Sequence, residues 1–544
     1  MSKILTSRRA FLQAGCGVVA CGGAQALFPQ LGLIPAALAG TPAAGYKALV
    51  CLYLDGGNDA WNMLIPGGDA AHTKYVAARN GIYNPTAGNG GGLALPRHTG
   101  AGFVSGQTPP SSLSIAGGQY GVNSFCPEMA TLYGQGRLAF LPNIGPIVEP
   151  TTVAAFNNRR RPPQLYSHND QTNLWHIGSG SSTQVTQGWG GKVVGRVALP
   201  ASATNGLPPT ITLSGQTRFL SGVEDGGVPL FSFALSTSGT APATSLTNYG
   251  STNATANQFQ IERRAHLQQL LDAASPQAFS NEYRSIVDRS LQLADFVINP
   301  AIAGIPAPDP VNGGGSTGFV WPSGNSLADQ LRQVARMVRI STTQPDNAGF
   351  VSPIGANRQV FFVRLGGFDT HDGQITSTGA TGHHLLLQRV SQAVDSFYKA
   401  MLAIGRSNDV TLFSASEFGR TINSNGNGSD HAWGSLQFVV GGAVNGGNVY
   451  GRYPTIVLNN SLTGSVSDGA NQGECFQRGQ FIPTTAVDQL GATLARWMGV
   501  SDVDIPTIFP NIDNFVTGPF ANPVSSPSFA NFSRIVPGLM NGVA

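Results

Sequence analysis

Charged side chains are scarce in this chain: Asp, Glu, Lys and Arg make up 11% of its 544 residues, against about 25% in an average soluble protein. So few cations cannot form the clustered Lys and Arg footprint that neutralises phosphates, which excludes nucleic acid as a partner. Cysteine is rarer still, at 5, with no CxxC and no Cys/His metal spacing, so a disulfide scaffold and a cysteine-ligated zinc site are both excluded. The apolar stretch after Arg9 is broken by Gly and Pro and falls short of the ~18 unbroken apolar residues of a membrane span. What is abundant is Gly, at 70, and Pro, at 35, in a chain that is 41% hydrophobic. That is enough apolar material for one large or two ordinary cores, under a surface built from Ser, Thr, Asn, Gln and backbone.

The small positive charge belongs to one end. Lys3, Arg8 and Arg9 precede the first acidic residue, Asp55, and account for the whole excess of 31 Lys and Arg over 28 Asp and Glu. Paired arginines in Ser7-Arg8-Arg9-Ala10-Phe11-Leu12, an apolar Gly/Ala-rich stretch and the small-x-small triplet Ala37-Leu38-Ala39 form the pattern of a twin-arginine export signal over residues 1–39. The expectation is a periplasmic or secreted protein cut after Ala39. The rival is lipid attachment at Cys21, through a weak lipobox at Val18-Val19-Ala20-Cys21. Cleavage leaves Cys51, Cys126 and Cys475, enough for one disulfide.

Short continuous apolar runs at 48–54, 137–142, 360–365 and 410–414, each closed by polar or Gly-rich residues, predict strands buried on both faces. Helical spacing follows Ser326 and recurs over 385–402 and 487–497. Strands alternating with helices predict an α/β fold, a mostly parallel central sheet sandwiched by helices, with its site beyond the carboxyl ends of the strands. Residues 40–544 read as one such domain. Residues 201–258, rich in Ser, Thr, Gly and Asn, and 299–325, rich in Pro and Gly, read as cap or loop insertions.

The polar residues after those strands carry the chemistry. Asp55 and Asp59 flank Gly56-Gly57-Asn58, a tight turn that brings carboxylates together for a cation, or caps the next helix. Ser167 opens Ser167-His168-Asn169-Asp170-Gln171 at a helix start, as a cap or as a nucleophile beside backbone N–H groups. Asp369 and His371, then Glu417 and Arg420, then Asp430 and His431, follow two further strands. Alternating residues such as Asp369 and His371 can converge on one ion. The Gly90–Gly92 cluster lacks the strand-turn-helix context of a dinucleotide site, which disfavours an oxidoreductase.

Gly56-Gly57-Asn58-Asp59, Gly136-Arg137-Leu138, the Ser167–Gln171 block, Phe368-Asp369-Thr370-His371, Ser416–Thr421, Asp430-His431 and Pro483-Thr484-Thr485 together resemble the exported domain-of-unknown-function 1501 family. That family is grouped with the alkaline-phosphatase-like, sulfatase-like superfamily. The resemblance implies a divalent-metal hydrolase of phosphate or sulfate esters, acting on a small molecule or a polymer, with Ser167 as nucleophile. It implies one ion, not distinguished among zinc, manganese, calcium and magnesium, held by Asp369, His371 and His431. A second ion would take Asp59 or Asp55 with Ser167 and Glu417, about 3.5–4 Å from the first. Arg420 would offset developing negative charge, and His168 or Asp170 would orient Ser167 or a ligand. Phe418 stands where the superfamily pattern has an imidazole, so the alternative is a degenerate member acting as an envelope or extracellular binding protein. Neighbouring genes in the family imply another exported protein as partner.

Overall fold

A computed structural model describes residues 45–543 apart from 84–91, 98–110, 153–155, 182–185, 200–205, 224–226, 228, 238–256, 274, 308, 315–317, 353, 376–381, 457–474, 477 and 517–532. The export-signal reading at residues 1–39, with Cys21, lies outside the described residues. Among the described residues no helix is long and apolar enough to cross a membrane.

The strand β1 (Lys47–Asp55) shows why the sheet is layered on both sides. Successive side chains of a strand point to opposite faces. Ala48, Val50, Leu52 and Leu54 enter one apolar layer with Met129, Leu331 and Leu387, while Leu49, Cys51 and Tyr53 enter the other with Trp175, Val193 and Leu490. The first layer is roofed by helices Pro127–Gly134, Ser326–Ser341 and His383–Ala403, the second by His168–Ile177, Trp189–Val197 and Val487–Met498.

The other sheet strands are β2 (Leu138–Gly145), β3 (Thr210–Thr212), β4 (Ser232–Ala234), β5 (Arg358–Gly366), β6 (Val410–Ala415), β7 (Ser435–Gly441) and β8 (Thr485–Ala486). Their order is β8-β2-β7-β6-β1-β5-β3-β4. β1 lies parallel between β5 and β6, and β7 runs antiparallel to both its neighbours, β2 and β6. The sheet is therefore α/β and mostly parallel, as the apolar runs predict. Two stretches differ from expectation. The insertion expected at 201–258 contributes β3 and β4 to the sheet edge, in runs too short to stand out from their Ser/Thr-rich surroundings. From 299–325, Val311, Phe319 and Trp321 pack into the core. All three described cysteines are free.

Burial also sets an acid limit. The imidazole of His176 packs against Tyr53 and Phe362, and burial pushes its pKa from 6.5 down to about 3. It stays neutral when folded and takes a proton only on unfolding, so stability falls as pH drops from 6.5 toward 3, by up to about 1.4 kcal/mol per pH unit. Urea titrations across that range should show a shallower acid slope for His176→Phe than for the parent protein.

Candidate functional site

Three adjacent parallel strands deliver the site. β1 ends at Asp55, β5 at Gly366 and β6 at Ala415, and the loops that follow carry Gly56-Gly57, Asp369 with His371, and Ser416 with Glu417. A hairpin of Arg420–Ser424 and Ser429–His431 adds Arg420, Asp430 and His431. His168 arrives on the first turn of the helix His168–Ile177, capped by Ser167. Gly56 and Gly57 have φ of +117° and +78°, and a Cβ on either would come within 2.3 Å of Asp369 N or the Phe418 ring. Gly57→Ala is expected to cost about 1–3 kcal/mol through that overlap, read as a lower denaturation midpoint.

The imidazoles are oriented from behind. His168 Nδ1 lies 2.7 Å from Glu417 Oε1, His371 Nδ1 3.2 Å from Asp430 Oδ1, and His431 Nδ1 2.9 Å from the Tyr166 carbonyl oxygen. Carboxylates and carbonyls only accept, so these partners place the proton on Nδ1 and leave each neutral Nε2 with a bare lone pair. All three Nε2 atoms face the Asp369 carboxylate. His371 and His431 stand 3.2 and 3.3 Å from Oδ1, His168 stands 3.5 Å from Oδ2, and the His371 and His431 Nε2 atoms are 2.8 Å apart. Lone pairs turned toward one another and toward a carboxylate repel unless a proton or cation lies among them. Ligand atoms around a tetrahedral ion at about 2.0–2.1 Å stand about 3.3 Å apart, close to three of these separations. The donor chemistry fits a divalent ion, and the donor atoms of His168, Asp369 and His431 lie within 4.8 Å of one another.

The charge balance is consistent with this packing. Partial burial acts to raise the Asp369 pKa, but contacts with Arg420, His431 and His371 outweigh it and hold it below the ordinary carboxylate value. The Glu417 hydrogen bond raises His168, while burial lowers His431.

Other expected residues fall elsewhere. Asp59, expected with Asp55 as a candidate for a second ion, is fully buried, paired with Arg79 and hydrogen-bonded by Gln374, so its carboxylate holds the turn to the helix Asp69–Ala78 that precedes Arg79. Asp55 sits 3.6 Å from Arg364, its pKa raised by partial burial and by Glu417. Glu417 is fully buried and accepts from Gly56 N, His168 and Ser416. Arg420 is also fully buried, donating to the carbonyls of Gly56, Gly57 and Ser429 and to Asp369. It ties the loops together and fixes Asp369. The Ser167 hydroxyl donates to Asp170 Oδ2 at 2.7 Å and accepts weakly from Asp170 N at 3.5 Å. The residues on both sides of it touch the cluster, through the Tyr166 carbonyl and the His168 ring.

Sequence reasoning missed several participants. Phe418 packs its ring against His168 and His431, at 4.9 and 4.4 Å between centroids, and forms an apolar wall where an imidazole was sought. Tyr166 acts through its carbonyl, and Gln374 and Arg79 through long-range contacts with Asp59, none of which leaves a local signal.

Residues 353–464 match the model of the family described as "Protein of unknown function (DUF1501)", a span that holds Asp369, His371, Glu417, Arg420, Asp430 and His431. This supports the DUF1501 family. No curated protein matches the chain.

Proposed function

We propose that the chain is an exported, metal-dependent hydrolase of phosphate or sulfate esters, of alkaline-phosphatase-like fold, working with one divalent ion and Ser167 as nucleophile. The observation that carries this reading is the convergence of three imidazole Nε2 atoms on the Asp369 carboxylate. His168, Asp369 and His431 would hold the ion, with His371 at its edge, 2.8 Å from His431, and imidazole with carboxylate suits zinc or manganese better than the all-oxygen preference of calcium or magnesium. Such an ion supplies Lewis-acid stabilisation of negative charge on an ester's oxygens. Glu417, Asp430 and the Tyr166 carbonyl keep the three rings in place, as hydrogen-bonded partners of metal-binding histidines do.

Asp170, 2.7 Å from the Ser167 hydroxyl, takes its proton as Ser167 Oγ bonds to phosphorus or sulfur, and passes it to the alcohol oxygen as that oxygen's bond to phosphorus or sulfur breaks. A water then attacks the Ser167 ester, its oxygen leaving with the oxyanion and its proton returning through Asp170 to Ser167 Oγ. The helix N-terminus at His168 offers backbone N–H groups and a positive dipole end to that oxyanion. A second ion is disfavoured, since Glu417 and Asp59 are already engaged by protein partners.

Protein purified without chelator should carry a divalent ion by elemental analysis and hydrolyse an aryl phosphate or aryl sulfate. Ser167→Ala should abolish turnover and keep the ion. No ion after reconstitution with each metal in turn would sink the proposal, and full turnover in Ser167→Ala would reduce Ser167 to a cap. An ion-binding protein inactive on every ester would instead support the binding-protein reading, with an exported partner.

A further inference from the structure

Next to the imidazoles lies a cavity of about 610 Å³, walled by Phe156, Tyr166, Phe476, Arg161 and Arg478, with no acidic residue in its lining. It falls within the usual range of small-molecule pockets, about 300–1,000 Å³. Its wall is aromatic: Phe156 and Phe476 meet edge to face at 4.9 Å, and the Arg161 guanidinium lies 4.7 Å from the Phe156 ring centroid. Its charge is positive, from Arg161 and from Arg478, which is 72% exposed and 3.2 Å from Asp430.

Two contacts join this cavity to the cluster. The Tyr166 carbonyl accepts from His431, and Asp430 bridges Arg478 to His371. Ser167 directly follows Tyr166. The wall is also held in a costly shape. Of six described non-glycine residues with left-handed backbone, Gln164, Tyr166 and Arg478 all line this cavity, and buried Gln171 pins the loop by donating to the Pro163 and Gln164 carbonyls at 3.0 and 3.1 Å. Such strain persists only where surrounding contacts impose it, and it gathers at ligand sites.

We infer that this cavity is the leaving-group subsite, and that it selects esters whose alcohol is a ring compound bearing its own negative charge. The inference rests on the ester-hydrolase reading of the adjoining cluster. Flat rings stack on Phe156, Tyr166 and Phe476, while Arg161 and Arg478 read the anionic substituent through charge-assisted hydrogen bonds. Tyr166 lines the cavity, precedes Ser167 and gives its carbonyl to His431, so the cavity adjoins the cluster and is the space offered to the alcohol portion of an ester held there.

The test separates this subsite from the chemistry. Binding of 2-naphthalenesulfonate and of neutral 2-naphthol is measured by calorimetry on the full chain, with no turnover required. The sulfonate should bind at least about tenfold more tightly. An R161A/R478A variant, altered only at exposed side chains, should lose that preference while 2-naphthol binding changes less than about twofold. Equal binding of both probes, or a preference that survives the double substitution, overturns the subsite. If the preference holds but no ester is ever hydrolysed, the subsite stands as an anionic-ring site and the hydrolase reading falls.

Discussion

Replacing Arg420 with alanine is expected to lower the unfolding free energy by at least about 3 kcal/mol. Three main-chain carbonyls, those of Gly56, Gly57 and Ser429, lose their donor inside a fully buried pocket. Each orphaned group costs about 1–3 kcal/mol. Asp369 loses its strongest partner at the same time. Arg420→Lys keeps a charge near Asp369 but cannot span three carbonyls with one ammonium, so it should recover only part of the loss. Urea denaturation gives the answer through the midpoint at unchanged slope. A loss below about 1 kcal/mol would mean that the loops after β1 and β6 are held by something other than this guanidinium.

The second large effect concerns the ion. Chelator-treated protein given zinc at about 1,000-fold over its dissociation constant should gain about 4 kcal/mol, because the folded state alone assembles the donors. His431→Ala should erase that gain. The same substitution should cost the chelator-treated protein little, since the Phe418 packing and Tyr166 hydrogen bond that it loses are offset by removing one of two imidazole nitrogens that face each other at 2.8 Å. Thermal melts with and without zinc read both quantities. A zinc-dependent shift that persists in His431→Ala would place the ion elsewhere.

These expectations differ in how much of them the sequence already held. Lys47–Asp55 and Val410–Ala415 are legible as buried strands because an unbroken apolar run closed by polar residues has few other uses. The helix Ser326–Ser341 is legible through its apolar spacing after Ser326, and the structure adds the Asn325 cap. β7, by contrast, left no expectation, and neither did the edge strands β3 and β4, which draw their identity from the neighbours they pair with. At the site, the grouping of Asp369, His371 and His431 was readable as strand-end chemistry, yet Asp59 looked equally available. Its partner Arg79 lies 20 residues away beyond a helix, and nothing in the Gly-Gly-Asn-Asp turn announces that a buried guanidinium will claim the carboxylate.

The sequence by itself determined the alternation of strand and helix, the poverty of charge, and the short set of acidic and imidazole residues that follow the strands. Those properties are local, because apolar periodicity and turn chemistry act over a few residues. Only the tertiary structure decided which of those residues face one another, that His168 joins Asp369, that Arg420 is consumed as a tie, and that Phe156, Tyr166, Phe476 and two arginines line one open pocket. Those facts depend on strand order and loop packing, which bring together groups up to 364 positions apart, as Arg420 and the Gly56 carbonyl are, and no local pattern encodes a contact over that distance.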